Sequence, residues 1–398
     1  WLYLLWDRGL NWFGMKILFL NYEYPPLGGG AANATAYLLS EWSQDETVEV
    51  HLITSGIGKQ FEETKIGNNV FVHRLPIGKN PNNLHHQSLL DLVTYSVKAW
   101  WFGRRLIKKE HFNVTLAFFG VPCGFLALLL KWEYSVPYAV ALRGSDVPGY
   151  SRKYTWLYPI LSPLIGWIWK QAVAVIPNSR GLAELAKKSL PQQEFTVIEN
   201  GVDTKQFFPD TSKRPADEFI LTPGASRVTE RKGLDYLIGA VALLVPKYPE
   251  LRLKIMGDGN ARPKLEALVK EKGLEEKVTF LGRIPREETA PYYQEASLFV
   301  MPSLNEGMSN AMLEALASGL PIVSTPTGGA AELISEGKNG ILIEEKSAES
   351  IAAAIEIFLK DKSLVAPYGT ESRARAEAQG WDKVARSFKN LLEQNIKK

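Results

Sequence analysis

The amino-acid sequence predicts an α/β protein with two doubly wound domains. From Met15 onward, short apolar runs alternate with longer amphipathic ones, as expected of parallel strands separated by helices. The alternation restarts after residue 215, behind a polar, proline-containing stretch at residues 207–218 where we place the linker. Open α/β sheets bind ligands beyond the carboxyl ends of their strands, so we expect a site in a central cleft that both sheets face.

This pattern divides the chain into four parts. Residues 1–14 are an extra N-terminal segment, residues 15–207 are the first domain and residues 208–372 are the second domain. Residues 373–398 are predicted to form a C-terminal helix, and packing of this helix back on the first domain is an open alternative.

Composition excludes several classes of protein. The 398 residues are 45% hydrophobic and 22% charged, which is close to ordinary globular usage and excludes disordered and collagen-like chains. A formal net charge of +3 is too small for general attraction to nucleic acid, so no nucleic-acid partner is expected. The single cysteine, Cys123, excludes an intrachain disulfide and a cysteine-based metal site, and it favours a reducing cytoplasm.

A glycine-rich turn follows the first predicted strand. Gly28, Gly29 and Gly30 allow the backbone to approach a ligand closely, and the amides at the start of the next helix suit an anion. A dinucleotide-binding fingerprint needs glycine where Asn33 stands, which disfavours NAD. A tight turn without a ligand is the alternative.

Two cations follow the first strand of the second domain. Arg227 and Lys232 bracket a turn at the carboxyl end of this strand. A planar guanidinium and a compact ammonium both fit phosphoryl oxygens, and each charge-assisted hydrogen bond contributes about 1.5–3 kcal/mol. A solvated surface pair is the alternative.

The most specific signal is a pair of glutamates on either side of a helix start. Glu306 lies in the loop after a predicted strand, and Ser309 or Asn310 caps the helix that carries Glu314. Both carboxylates are then able to accept hydrogen bonds from sugar hydroxyls, while the free amides of residues 307–310 suit phosphate. Two ordinary surface glutamates are the alternative.

In this combination the residues resemble the retaining glycosyltransferases of family 4, which have the GT-B fold of two Rossmann-like domains. The E-x7-E element of that family matches Glu306 and Glu314, and its paired cations match Arg227 and Lys232. Its N-terminal glycine-rich loop matches the turn at residues 28–30.

The resemblance implies a role for each motif. Glu314 is expected to bind the ribose of a nucleotide, Arg227 and Lys232 its diphosphate, and Glu306 the donor sugar; Glu306, Arg227 and Lys232 are the expected catalytic residues. The implied donor-binding residues are Gly28, Gly29, Arg227, Lys232, Arg283, Ile284, Glu306, Gly307, Met308, Ser309, Asn310 and Glu314. No metal and no cofactor are implied, because the nucleotide diphosphate sugar is a co-substrate and the cations supply the charge stabilisation.

One element departs from the family pattern. Members often have a His-Gly-x-Asp sequence that faces the donor sugar, whereas this chain has Arg143 at the histidine position, followed by Gly144 and Asp146. Arginine is always charged and does not shuttle protons. On the acceptor side, Arg143 therefore has three alternatives: contact with a phosphate, contact with an acidic sugar, or simple pairing with Asp146.

Basic and aromatic residues are mixed at residues 97–112 in the first domain, and a second such stretch covers residues 151–170. This composition is expected where a helix lies on anionic lipid. Peripheral contact with an anionic membrane would suit a lipid-linked acceptor. Core helices with a solvated basic edge are the alternative.

Together with these features, the resemblance implies a metal-independent, retaining glycosyltransferase that moves a hexose from a nucleotide diphosphate sugar to a hydroxyl of a glycan or lipid-linked saccharide. The expected location is the cytoplasm, with membrane association on its cytoplasmic face left open. A sugar-nucleotide epimerase of the GT-B fold and a non-catalytic nucleotide-sugar binding module are the alternatives. No motif matches the epimerase's catalytic groups, and the intact glutamates and cations speak against the binding module.

Overall fold

The computed structural model of the protein describes residues 14–79, 84, 87–150, 158–304, 306 and 308–396. The residues fall into two compact units. The first unit runs to Pro177 and adds Ala186–Thr196 and the segment from Ala385 onward; the second contains Asn178–Leu185 and Val197–Val384. Most of the predicted segment 1–14 lies outside the described residues.

The division differs from the predicted boundary after residue 207. Val202 and Phe207 are buried in an apolar core of the second unit, and Val202 forms a bridge with Gly380. The predicted linker at residues 207–218 therefore lies within the second unit, which includes the chain from Val197 onward. Local composition marks a loop, but it does not tell which core the flanking apolar side chains enter.

The first unit is built on a sheet with the strand order β3-β4-β2-β1-β5-β6-β7, in which β3 is antiparallel to β4 and the other neighbours are parallel. The strands are β1 (Met15–Leu20), β2 (Val48–Gly56), β3 (Glu62–Ile66), β4 (Val70–Pro76), β5 (Val114–Phe118), β6 (Tyr138–Leu142) and β7 (Ala174–Pro177). The helices along this part of the chain are α1 (Gly30–Trp42), α2 (Leu89–Lys109), α3 (Phe125–Tyr134), α4 (Tyr158–Gln171) and α5 (Arg180–Ser189). The strand order reverses next to β1, so the glycine-rich turn after β1 stands at the switch point of this sheet.

The second unit contains a parallel sheet with the order β11-β10-β8-β12-β13-β14, and β9 pairs with the end of β10. The strands are β8 (Phe219–Thr222), β9 (Ala225–Arg227), β10 (Leu251–Asp258), β11 (Val278–Gly282), β12 (Leu298–Met301), β13 (Ile322–Ser324) and β14 (Gly340–Leu342). The helices are α6 (Leu234–Leu244), α7 (Arg262–Glu271), α8 (Ala290–Glu295), α9 (Asn310–Ala317), α10 (Ala330–Leu333), α11 (Ala348–Lys360), α12 (Val365–Ala378) and α13 (Trp381–Ile396). The order reverses between β8 and β12, which places the loops after these two strands at the switch point.

Buried strands explain why the sequence predicted the fold class correctly. Every residue of β5, β6, β8 and β12 is buried, as expected when helices cover both faces of a parallel sheet. The predicted class, two doubly wound α/β domains, is confirmed. Within the described ranges, every helix is too short or too polar to cross a membrane.

The C-terminal segment is two helices rather than the single predicted one. The chain breaks between α12 and α13 at Gly380, whose backbone forms the bridge with Val202. From Ala385 onward α13 belongs to the first unit, where the Trp42 Nε1–H donates to the Ala385 carbonyl at 3.2 Å. Phe388 is buried there among apolar side chains.

Candidate active site

A turn and a loop meet at the switch point of the second sheet. The turn before α6 ends at Gly233, which has a φ of 62°, and a Cβ atom at this position would lie 2.2 Å from the Pro302 carbonyl oxygen. Only glycine allows this approach. The Leu304 amide also donates to the Arg231 carbonyl at 2.8 Å, so the turn is held directly against the loop that follows β12.

This contact joins two of the predicted catalytic residues. The Lys232 Nζ atom lies 2.6 Å from Glu306 Oε1, and both side chains are largely buried. Burial alone would raise the pKa of the Glu306 carboxyl, but Lys232 and the nearby Arg231 outweigh burial and hold this pKa below its usual range. Glu306 is therefore an ionised carboxylate beside a cation, and the predicted surface-glutamate alternative does not describe it.

Helix α9 begins just after this loop with the predicted cap. The Ser309 hydroxyl accepts a hydrogen bond from the Met312 amide at 3.3 Å. Asn310, the first helical residue, accepts a hydrogen bond at 3.0 Å from the side-chain amide of Asn200. The positive end of α9 thus lies in the same loop as Glu306, whereas Gly307 lies outside the described residues.

Met308 shapes the inner side of this loop. Its side chain is buried, and its Cε atom would be 2.7 Å from a Cβ atom at Gly329. A larger residue than glycine at position 329 would therefore push Met308 out of its position. This close approach gives Gly329 a packing role that the sequence pattern alone did not reveal.

Glu314 has a different environment from Glu306. It lies inside α9, is buried, forms an ion pair with Arg286 Nη2 at 2.7 Å, and accepts a hydrogen bond from the Tyr293 hydroxyl at 2.8 Å. Burial raises the pKa of the Glu314 carboxyl, and the guanidinium of Arg286 and the Tyr293 hydroxyl only partly oppose this rise. The two glutamates of one motif are therefore set to different affinities for a proton.

The remaining predicted donor residues of this unit are less buried. Arg227 ends β9 and is exposed, so the structure brings Lys232 to Glu306 and leaves Arg227 at the surface. Arg283 is also exposed, and Ile284 is partly buried against the apolar core that contains α9.

The glycine-rich turn of the first unit surrounds a carboxylate. Gly28 has a φ of 97°, and a Cβ atom there would lie 2.7 Å from the Glu23 side chain. The Gly29 amide donates to Glu23 Oε2 at 3.2 Å. One amide that the sequence assigned to an anionic ligand is thus already bound to an anion of the protein itself.

In the first unit, Asp146 is buried and Arg143 is partly buried. The Arg143 guanidinium lies 3.6 Å from the centre of the Phe118 ring, and burial lowers its pKa to about 9. The Asp146 carboxylate accepts backbone N–H groups from Arg143, Gly144 and Gly120 at 2.9–3.0 Å. Asp146 therefore organises the backbone around Arg143.

Two family models match consecutive parts of the chain: "Glycosyl transferase 4-like domain" matches residues 29–201 and "Glycosyl transferases group 1" matches residues 203–380. The lipopolysaccharide core biosynthesis glycosyltransferase LpsE of Rhizobium meliloti (strain 1021) is 34% identical over 267 residues, which are 66% of this chain and 76% of LpsE. The chain belongs to the group 1 glycosyltransferases. It is therefore an enzyme, as the sequence predicted.

Solved structures with the same architecture agree with this assignment. The sucrose-phosphate synthase from Thermosynechococcus elongatus superposes with a TM-score of 0.82 at 22% identity, covering 96% of this chain and 98% of that one. HepE of Anabaena in complex with UDP-glucose superposes with a TM-score of 0.72 at 20% identity, covering 96% and 100%. At these identities the likeness concerns the fold, and the predicted GT-B fold of this glycosyltransferase is confirmed.

Sequence reasoning missed several residues around the two glutamates of this glycosyltransferase. Arg286 and Tyr293 hold Glu314, Arg231 adds charge near Glu306, and Asn200 binds the first residue of α9. One signal was available, because a glutamate within a helix as apolar as α9 requires a partner. Nothing in the local sequence says which of the nearby arginines provides it.

No metal-binding cluster of three or more His, Cys, Asp or Glu side chains is found in the part of the chain that the structure describes.

Proposed function

We propose that this glycosyltransferase moves a hexose from a nucleotide diphosphate sugar to a hydroxyl of a growing glycan or a lipid-linked saccharide. In this proposal the reaction retains the anomeric configuration, needs no metal ion and takes place in the cytoplasm. The observation that carries the proposal is the pair formed by Lys232 and Glu306 beside the positive end of α9, at the switch point of a parallel sheet.

The charges at this point suit a diphosphate next to a sugar. Lys232 provides an ammonium group, and the first turn of α9 adds the partial positive charge of a helix N-terminus. A leaving diphosphate gains negative charge as the bond to the sugar breaks, so both features stabilise the transition state. Because these groups supply positive charge, the proposed reaction needs no divalent cation.

The two glutamates have separate tasks in this proposal. Glu306 is ionised and therefore accepts hydrogen bonds only, which suits the hydroxyls of a donor sugar. Glu314 is held in a fixed position by Arg286 and Tyr293, which suits the recognition of a ribose. Its raised pKa does not prevent this task, because both forms of the carboxyl bind hydroxyl groups.

The relatives support the two substrate classes. HepE was solved in complex with UDP-glucose, which is a nucleotide diphosphate sugar. LpsE is named for lipopolysaccharide core biosynthesis, and a lipopolysaccharide consists of a saccharide on a lipid. Peripheral contact with a membrane is consistent with an acceptor of this kind.

A donor screen tests the proposal. Thermal unfolding of the full chain is measured with UDP-, GDP- and ADP-sugars, and a donor that binds the folded state raises the unfolding temperature. The preferred donor is then incubated with saccharide acceptors, and we expect a nucleoside diphosphate and a longer saccharide as products.

The same experiment separates the two alternatives. Conversion of the donor into a different sugar nucleotide, with no nucleoside diphosphate released, would identify an epimerase. Tight donor binding without donor consumption across the acceptors would indicate a binding module. The family membership of the chain favours transfer over both outcomes.

A further inference from the structure

Helix α2 has an apolar stripe on its solvent side. Leu90, Val93, Val97 and Trp101 are 74%, 53%, 53% and 52% exposed, and their spacing of three or four residues places them along one side of the helix. The opposite side of α2 is buried against the first unit, as Tyr95 and other apolar side chains show. Among the residues that the structure describes, packing thus covers one apolar side of α2 and leaves the other exposed.

Neighbouring helices extend the apolar surface. Trp132 of α3 is 50% exposed, Trp167 of α4 is 40% exposed, and their ring centres lie 4.6 Å apart. Arg104 of α2 donates from Nε to Glu133 of α3 at 2.8 Å, which ties α2 to the helix that carries Trp132. We call the stripe together with these two tryptophans the α2 face.

The C-terminal part of α2 carries a concentration of positive charge. Residues 97–109 contain five basic side chains and no acidic one. Arg105, Lys108 and Lys109 are exposed, and they lie directly after the apolar stripe. Arg104 lies over the rings of Trp100 and Trp101, with its guanidinium 4.7 and 5.2 Å from the ring centres, so it holds the indoles in place.

We propose that the α2 face docks onto the surface of a bilayer that contains anionic lipids. The apolar stripe enters the boundary between headgroups and acyl chains, where tryptophan is favoured because its ring is apolar and its N–H polar. Arg105, Lys108 and Lys109 then lie against the anionic headgroups. The contact is peripheral and reversible.

Charge complementarity selects a membrane over a second copy of this chain. A symmetric contact between two copies uses the same surface on both, so the excess of positive charge beside the α2 face would be present on both sides of the contact. An anionic bilayer instead offers opposite charge beside apolar material, which matches the order of side chains along α2. None of the residues that we assign to donor binding belongs to the α2 face. A loss of vesicle binding is therefore distinguishable from a loss of glycosyl transfer.

Co-sedimentation of the full chain with vesicles tests the proposal. One vesicle contains phosphatidylcholine alone, and the other also contains phosphatidylglycerol. We expect binding to the anionic vesicles at 0.1 M salt and at least tenfold weaker binding to neutral vesicles. Binding to the anionic vesicles should also be at least tenfold weaker at 1 M salt, because the Debye length is then about 3 Å.

Two sets of variants locate the contact. The basic set, Arg105→Gln with Lys108→Gln and Lys109→Gln, should weaken binding roughly a hundredfold, since each charge near an anionic surface contributes about a fivefold factor. The apolar set, Leu90→Ser with Val97→Ser and Trp101→Ser, should weaken it at least tenfold. All of these side chains are exposed, and thermal unfolding checks that the fold persists. If the apolar variant fails to fold, the basic variant still tests the proposal.

Matched controls lie on the second unit. Lys213, Lys270 and Lys272 are exposed, and their replacement by Gln changes the net charge by the same amount. Leu243→Ser with Ile357→Ser removes exposed apolar side chains elsewhere. Both control variants should bind anionic vesicles with an affinity within twofold of that of the unmodified chain.

Absence of binding to anionic vesicles, or equal losses of binding for the control sets, would overturn the proposal. A dimer that the apolar set dissociates would also overturn it, because the occupant would then be a second copy.

Discussion

Lys232 and Glu306 form an ion pair of 2.6 Å although they are 74 residues apart in the chain. Eight residues after Glu306, the second glutamate of the same motif pairs with Arg286 instead. The lysine lowers the pKa of Glu306, while burial raises the pKa of Glu314. One sequence motif thus provides two carboxyl groups whose pKa values are shifted in opposite directions.

Replacing Lys232 with alanine should weaken binding of a nucleoside diphosphate about 10- to 100-fold. The change removes an ammonium group whose hydrogen bond to phosphate contributes about 1.5–3 kcal/mol. Affinity for the free nucleoside should stay the same, and calorimetric titration measures both ligands. Lys264→Ala is the control, because Lys264 is an exposed lysine of the same unit. Equal losses for nucleoside and nucleoside diphosphate would contradict the assignment of Lys232 to the diphosphate.

The two glutamates should differ when each is changed. Glu306→Gln keeps the shape of the side chain but removes its charge, so kcat should fall more than affinity for the bare nucleotide. Glu314→Ala should lower nucleotide affinity itself. Thermal unfolding of this second variant is measured as well, because it leaves Arg286 without its carboxylate. Glu314→Gln, which keeps an acceptor for the Tyr293 hydroxyl, separates loss of binding from loss of stability. A loss of nucleotide affinity alone in both variants would exclude the donor-sugar role of Glu306.

The product should keep the anomeric configuration of the donor, and EDTA should leave the rate unchanged. An inverting enzyme needs a general base on the acceptor side, yet no histidine follows residue 111 and Arg143 stands at the family's histidine position. In our proposal both glutamates bind donor hydroxyls, so an oxygen of the departing diphosphate accepts the proton of the incoming hydroxyl. The anomeric proton in the NMR spectrum of the product reports the configuration. Inversion, or activity lost to EDTA and restored by Mn²⁺, would refute this mechanism.

Stability should fall as the pH drops from about 6.5 to about 4. Burial lowers the pKa of His73 from 6.5 to about 4, with the neighbouring His51 and Lys109 acting in the same direction and Glu63 opposing. The unfolded chain therefore binds a proton at a higher pH than the folded chain, and protonation across this window favours unfolding. Denaturant unfolding at a series of pH values measures the effect. His73→Gln should flatten the dependence, whereas His111→Gln, at an exposed position, should not.

Shortening Phe388 to alanine should destabilise the protein by about 3–5 kcal/mol, because it opens a cavity in a packed core. Phe388 is 1% exposed, and its ring centre lies 6.3 Å from that of Phe118. Denaturant unfolding measures the change. Phe208→Ala removes the same atoms from an exposed position and should cost less than about 0.5 kcal/mol. Similar results for the two variants would show that α13 contributes little to the first unit.

The sequence by itself determined the class of the fold and the main motif. Continuous apolar runs such as those of β5 and β6 predict strands covered on both faces, because burial on both faces leaves no polar position. The cap of α9 was narrowed by the sequence to Ser309 or Asn310, since capping depends on residues within one turn of each other, and the structure has Ser309 in this position. Features of this kind are local, and a sequence pattern records them directly.

Only the tertiary structure decided which charges meet and which apolar sides are covered. The contact of Lys232 with Glu306 depends on the close approach of Gly233 to Pro302, and the proton affinity of Glu314 depends on its burial beside Arg286. The sequence of α2 shows apolar residues around much of the helix, and the fold determines that the side with Trp101 remains exposed. Electrostatic energies depend on distance and burial, and both follow from the path of the chain between residues far apart in sequence.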